Sequence, residues 1–85
     1  MKLLFTTNFV RDYRKLPKDM QNALDRQLEF LLANSMQPSL AVKIMNDPRG
    51  ILEGRVTAAY RFTFQSEGDI YIMRKGGTHD ILKSP

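Results

Sequence analysis

The chain has 85 residues, 13 Lys+Arg against 9 Asp+Glu for a net charge of +4, one histidine, and no cysteine or tryptophan. That length fits a single domain, residues 1–85, which buries only about 60% of the surface its unfolded chain exposes. Without cysteine there is no disulfide, thiol nucleophile or zinc–thiolate site. Neither a signal peptide nor a membrane-spanning run of about 20 apolar residues is present, so a cytoplasmic protein is expected.

Lys2–Thr6 is a short apolar run that predicts a strand. Thr7 and Asn8 offer side-chain oxygens as helix N-caps. Behind them Phe9, Tyr13 and Leu16 recur at helical spacing, with Arg11, Asp12, Arg14 and Lys15 on the other side. Pro17 disfavours helical geometry at Leu16 and suits the first position of a second helix, with Asp19 near the positive end of its dipole. Met20, Ala23, Leu24, Leu28 and Leu31 make the apolar stripe of that helix, which should stop in a left-handed conformation near Asn34. The period then changes to that of strands. Ala41–Met45 predicts one, followed by the turn-rich Asn46-Asp47-Pro48-Arg49-Gly50. Ile51–Thr57, Tyr60–Ser66 and Asp69–Lys75 predict three more. Glu67-Gly68 reads as a two-residue hairpin turn, and the tail Gly76–Pro85 as irregular. The order β-α-α-β-β-β-β makes an α+β fold: a two-helix hairpin packed on one face of a mainly antiparallel sheet.

Register decides where the charges fall. A turn at Glu67-Gly68 pairs Phe64 with Tyr71 and Phe62 with Met73 on one face, and Arg61 with Arg74 on the other. For the preceding hairpin, a three-residue connection Thr57–Ala59 pairs Gly54 with Phe62 and Leu52 with Phe64, which keeps one face apolar. It also sets Arg55 opposite Arg61, so Arg55, Arg61 and Arg74 form a row across three strands. Two readings of that row stand side by side. In one, each arginine snorkels to solvent or pairs with Glu53 or another acid. In the other the row binds phosphate, because the guanidinium presents a permanently charged planar fork. Ile70 and Ile72, expected to be exposed on the same face, suggest that a partner covers part of it.

His79, in Gly77-Thr78-His79-Asp80, is the one side chain whose ordinary pKa suits proton transfer at neutral pH. It is either an incidental surface histidine or a catalytic one. One histidine, no cysteine and scattered carboxylates do not assemble a transition-metal site, and no nucleotide-binding or serine-elbow motif is present. No metal or cofactor is expected. Cleavage of RNA by its own 2′-hydroxyl fits a basic face with a single histidine. The protein need only align the 2′-oxygen with phosphorus, neutralise the phosphorane and move protons.

Phe9-Val10-Arg11-Asp12-Tyr13-Arg14-Lys15-Leu16-Pro17, Arg55-Val56-Thr57 with Tyr60-Arg61-Phe62, and Gly77-Thr78-His79-Asp80 occur in that order. Together they resemble the RelE/ParE superfamily of toxins from toxin–antitoxin systems, in its RelE/YafQ-like branch, over essentially the whole chain. The resemblance implies a RelE-like fold and a small basic toxin that cuts mRNA in the ribosomal A site. It implies a cognate antitoxin with an acidic toxin-binding segment as partner, besides the ribosome and mRNA. Arg61 matches the arginine of the branch's Tyr-Arg motif, which stabilises charge on the scissile phosphate, and His79 the histidine of a Gly-Thr-His segment, a general acid or base. On that reading His79 and Arg61 are catalytic, Arg55 and Arg74 clamp phosphates, and Lys43, Lys75 and Lys83 add RNA or ribosome attraction. Two departures stand out. Leu52 and Gly54 occupy the positions of RelE's paired lysines, and Lys83 that of a C-terminal aromatic. A ParE-like gyrase inhibitor without nuclease chemistry, and a non-catalytic homologue that only binds its antitoxin, are the alternatives.

Overall fold

The computed structural model of the protein describes residues 1–85. Strand β1 (Lys2–Phe5) stops one residue short of Thr6, because Thr6 leaves the strand to cap helix α1 (Thr7–Lys15). Its hydroxyl accepts the Phe9 N–H at 3.2 Å and donates to the Met73 carbonyl at 2.7 Å, so one side chain starts the helix and ties it to the sheet. Thr7 and Asn8, the expected caps, sit in the first turn. Helix α2 (Lys18–Ala33) begins one residue later than expected, with Pro17 in the N-cap position and Asp19 in the first turn. Its far end also differs. Asn34 is extended (φ −164°), because its side chain accepts the Met36 N–H at 3.0 Å and builds a turn rather than a left-handed stop. The Tyr13 hydroxyl donates to Asp25 at 2.8 Å across the helix hairpin, and that bond holds the phenol's pKa above its ordinary 10.

The remaining strands are β2 (Lys43–Ile44), β3 (Leu52–Arg55), β4 (Tyr60–Glu67) and β5 (Ile70–Thr78). They form one sheet in the order β1-β5-β4-β3-β2, with β1 parallel to β5 and every other pair antiparallel. β2 is shorter than the expected Ala41–Met45, because Pro38–Leu40 forms a 3-10 turn and Ala41 follows in the left-handed region at φ 45°. The tail is more ordered than expected. β5 runs on through Gly76-Gly77-Thr78, and His79–Lys83 makes a second 3-10 turn.

Apolar burial fixes which face is inside. Phe9 of α1 and Leu24, Leu28 and Leu31 of α2 pack against Phe62, Phe64, Tyr71 and Met73. Gly54 permits the closest approach in this core: a Cβ there would lie 2.6 Å from Cε1 and 2.9 Å from Cε2 of the Phe62 ring. The β3–β4 register is the expected one, with Leu52 opposite Phe64, Gly54 opposite Phe62 and Arg55 opposite Arg61. The β4–β5 register is not. The turn is Gly68-Asp69, with Gly68 at φ 60°, so Phe64 faces Met73 and Ser66 faces Tyr71. A bulge then shifts the ladder again, placing Thr63 opposite Lys75, Phe62 opposite Gly76 and Arg61 opposite Gly77.

Between β2 and β3, Asp47 clamps Arg49: its carboxylate accepts the Arg49 side chain at 2.8 and 3.0 Å and the Arg49 backbone N–H at 2.8 Å. The side-chain bonds are the main cause that pulls the Asp47 carboxyl from 3.8 down to about 2. A depressed carboxyl pKa contributes stability above the unfolded value, and that contribution is lost as pH falls from about 4 towards 2. A carboxyl-carbon NMR titration should therefore give Asp47 a midpoint near 2, returning towards 4 in Arg49→Ala; a wild-type midpoint near 4 would contradict the clamp.

Candidate active site

Residues alternate in β4, so Arg61 and Thr63 lie on the face away from the helices that bury Phe62 and Phe64. The second 3-10 turn and the residues after it fold over part of this face. Ile81 sits where a Gly77 side chain would begin, and the Thr63 hydroxyl donates to the Pro85 carbonyl at 3.3 Å. Arg55 and Arg61 stand opposite one another beside this cover. Like charges in direct register cost stability, and neither guanidinium has a carboxylate partner. Glu53, the acid best placed to pair with them, is taken by Lys43 at 3.4 Å.

Arg61 is 8% exposed, and its burial is supported by hydrogen bonds instead of an ion pair. Its Nη1 donates to the carbonyls of Thr57, of Ala58 at 3.1 Å and of Tyr60 at 2.9 Å, in the β3–β4 connection and the first residue of β4. Thr57 stiffens that connection, its hydroxyl accepting the N–H groups of Ala59 and Tyr60 at 3.3 Å each. Nε and Nη2 of Arg61 make no hydrogen bond to protein, and neither is completely enclosed. That free edge is the one that binds a phosphate with two parallel hydrogen bonds. Arg55 is held from behind: Gln27, buried in α2, donates Nε2 to the Arg55 carbonyl at 2.8 Å and to the Ser39 carbonyl at 3.1 Å.

Thr78 pairs with Tyr60, so His79, the next residue, emerges at the same end of the sheet as the carbonyls that anchor Arg61. His79 is exposed and makes no hydrogen bond to protein. Asp80 does not orient it, reaching Lys83 instead at 3.8 Å. The geometry thus offers an anchored guanidinium, a second exposed and unbonded one, and an exposed imidazole at one sheet end.

Other expected members lie elsewhere. Arg74 is not opposite Arg61. The shifted register carries it out of the row and the bulge falls on it, and its Nε and Nη1 bind the Pro85 carbonyl at 3.1 Å and Gln65 at 2.8 Å, fastening Pro85 to the sheet. Lys43 is on the edge strand, neutralising buried Glu53. Lys83 ends the second 3-10 turn, exposed beside Asp80, and Lys75 lines a separate groove with Arg11 and Lys15. Ile70 and Ile72 are half-buried rather than exposed; the large apolar residues that are exposed are Met1, Leu4, Phe5, Leu32, Met36 and Ile44. Leu52 and Gly54 both point to the helix side, where Gly54 has no space for any side chain, so a lysine pair there is excluded by this packing. Sequence reasoning missed the anchoring carbonyls and Gln27. The first carry no side-chain signature, and a glutamine inside a helical pattern reads as surface.

No family model and no curated protein matches the sequence. Solved structures do. YafQ from E. coli strain BL21(DE3) superposes with a TM-score of 0.79 at 14% identity, over 94% of each chain. The YoeB/ParE toxin from Agrobacterium tumefaciens gives 0.78 at 16% identity, over 93% of this chain and 99% of that one. A chain of the RelB–RelE antitoxin–toxin complex from Methanococcus jannaschii gives 0.76 at 18%, over 95% of each. At such identities the likeness establishes the fold: two helices on a five-stranded mixed sheet in the RelE-like arrangement.

Proposed function

We propose that the chain is the toxin of a toxin–antitoxin pair and an endoribonuclease that cuts ribosome-bound mRNA without a metal. The observation that carries this reading is Arg61, held by three backbone carbonyls with Nε and Nη2 unbonded to protein and no acid to neutralise it. The carbonyls fix the guanidinium in place without neutralising it, so its charge is held ready for an external anion. The RelE-like fold supports the reading, and so do the toxin and antitoxin–toxin structures that share it.

In the reaction, the substrate's 2′-oxygen bonds to phosphorus as the bond to the 5′-oxygen breaks, leaving a 2′,3′-cyclic phosphate and a 5′-hydroxyl. Arg61, with Arg55 beside it, carries the charge that builds on the phosphorane oxygens. His79 supplies the proton that the departing 5′-oxygen needs, and water takes the proton of the 2′-hydroxyl. DNA, lacking that hydroxyl, is not a substrate. The partner that silences the toxin is an antitoxin with an acidic segment, complementary to the net charge of +4.

Induced expression of wild type, His79→Ala and Arg61→Ala, with growth and mRNA 5′ ends followed together, tests the proposal. Wild type should arrest growth and generate new 5′ ends within codons, and both substitutions should abolish both effects. Arrest that survives His79→Ala with intact mRNA would overturn the nuclease reading in favour of a toxin without RNA chemistry, such as a gyrase inhibitor.

A further inference from the structure

Helix α1 carries Arg11, Arg14 and Lys15 on its outer side, three and four residues apart, and none has a carboxylate within ion-pair distance. Like charges at such spacings destabilise a helix. The C-terminal dipole accounts for Arg14 and Lys15 in the last turn, but not for Arg11 a turn earlier. The acid that alternates with them, Asp12, is engaged elsewhere, accepting the Gly76 N–H at 3.1 Å. Arg11 and Lys15 form a ridge between two grooves. One, of about 360 Å³, runs towards Lys75; the other, of about 440 Å³, is walled by Phe5 and Val10 and rimmed by all three α1 cations, with no acid in it.

Phe5 gives this surface its second character. Phe5 is 49% exposed, and its ring stacks on Phe9 with centroids 5.6 Å apart and planes inclined by 27°. Unneutralised cations beside an exposed, backed aromatic ring are what binds single-stranded nucleic acid: phosphates pair with the cations and a base stacks on the ring. A duplex keeps its bases stacked inside and cannot use Phe5. An acidic peptide would use the cations but gains less from a flat aromatic platform.

We infer that the Phe5–Arg11–Arg14–Lys15 face of α1 and β1 is a second binding site for single-stranded RNA, separate from the cleavage site around Arg61. It adds to the proposed function but does not depend on cleavage.

The test is fluorescence anisotropy of the intact protein with a short single-stranded RNA whose 2′-hydroxyls are methylated, so that it binds and cannot be cut. Arg11→Ala/Lys15→Ala should lower the slope of log affinity against log salt by about 1.4, since each lost phosphate contact is worth about 0.7. Lys2→Ala/Arg26→Ala removes the same charge elsewhere and should change the slope much less. Phe5→Leu should weaken binding roughly 5- to 150-fold with the slope unchanged. Equal slopes for the two double variants would overturn the site, as would polyglutamate displacing the RNA at the same charge concentration as unlabelled RNA, which would make the face a docking surface for acidic protein. Arg11 and Lys15 are exposed, so their variants remain informative if Phe5→Leu does not fold. If Arg61→Ala binds this RNA normally while cleavage fails to appear even in wild type, the nuclease reading falls and this site stands.

Discussion

Arg61→Ala should reduce single-turnover cleavage of mRNA on programmed ribosomes by about 10²- to 10³-fold, the scale on which removal of one preorganised transition-state donor is felt. The effect has two parts. The phosphorane loses its anchored charge, and the carbonyls of Thr57, Ala58 and Tyr60 lose the donor that holds them together. The second part costs stability, about 1–3 kcal/mol if those carbonyls are left unpaired. Thermal unfolding of the same variant therefore has to accompany the kinetics. Arg61→Lys separates the parts. It keeps the charge and one donor but cannot hold the carbonyls and a phosphate at once, so activity should fall while stability is partly restored. A cleavage rate for Arg61→Ala within a few-fold of wild type, in a folded protein, would remove Arg61 from the chemistry.

Gly54→Ala should be among the most damaging single substitutions in the chain. The added methyl group would meet the Phe62 ring, which is fully buried against Phe64 and the leucines of α2 and has nowhere to move. Overpacking of this kind costs typically 1–3 kcal/mol and more where the neighbour is confined, out of the 5–15 kcal/mol that holds a small domain folded. Urea unfolding should show a clear drop in midpoint. Gly54→Ala combined with Phe62→Leu, which shrinks the obstructing side chain, should unfold at a higher urea concentration than additivity of the two single variants predicts. A midpoint for Gly54→Ala equal to that of wild type would mean that the ring does not pack as described.

The helices were legible because their apolar stripe is unambiguous: Leu24, Leu28 and Leu31 all end in the core. The β3–β4 register was legible for a related reason. A slip of one residue would have put Arg61 among the helices, so face parity alone selected the pairing. The β4–β5 register escaped because a slip of two residues preserves parity; Phe64 is content opposite Tyr71 or Met73, and only the turn geometry around Gly68 distinguishes them. That slip moves Arg74 away from Arg61, and Arg74 itself is left unpaired by the bulge beyond it. Its sequence signal was Gly76-Gly77 inside a strand, which had been read as the start of an irregular tail. For the candidate site, side-chain identity singled out Arg55, Arg61, Arg74 and His79, but not that Thr78 pairing with Tyr60 brings His79 to the Arg61 end of the sheet. What fixes Arg61 is backbone, and backbone carbonyls look the same in every sequence.

The parallel pairing of β1 with β5 also has a kinetic meaning. Lys2 through Phe5 find their partners at Ile70 through Met73, so the sheet cannot close until almost the whole chain is available. Contacts of such sequence separation slow folding, because the intervening loop must be ordered before they form. During synthesis the two helices and the β3–β4 hairpin can assemble early, but the strand that leads into His79 joins last. A partly made chain thus has Arg55 and Arg61 on their hairpin before β5 can bring His79 to the same end of the sheet.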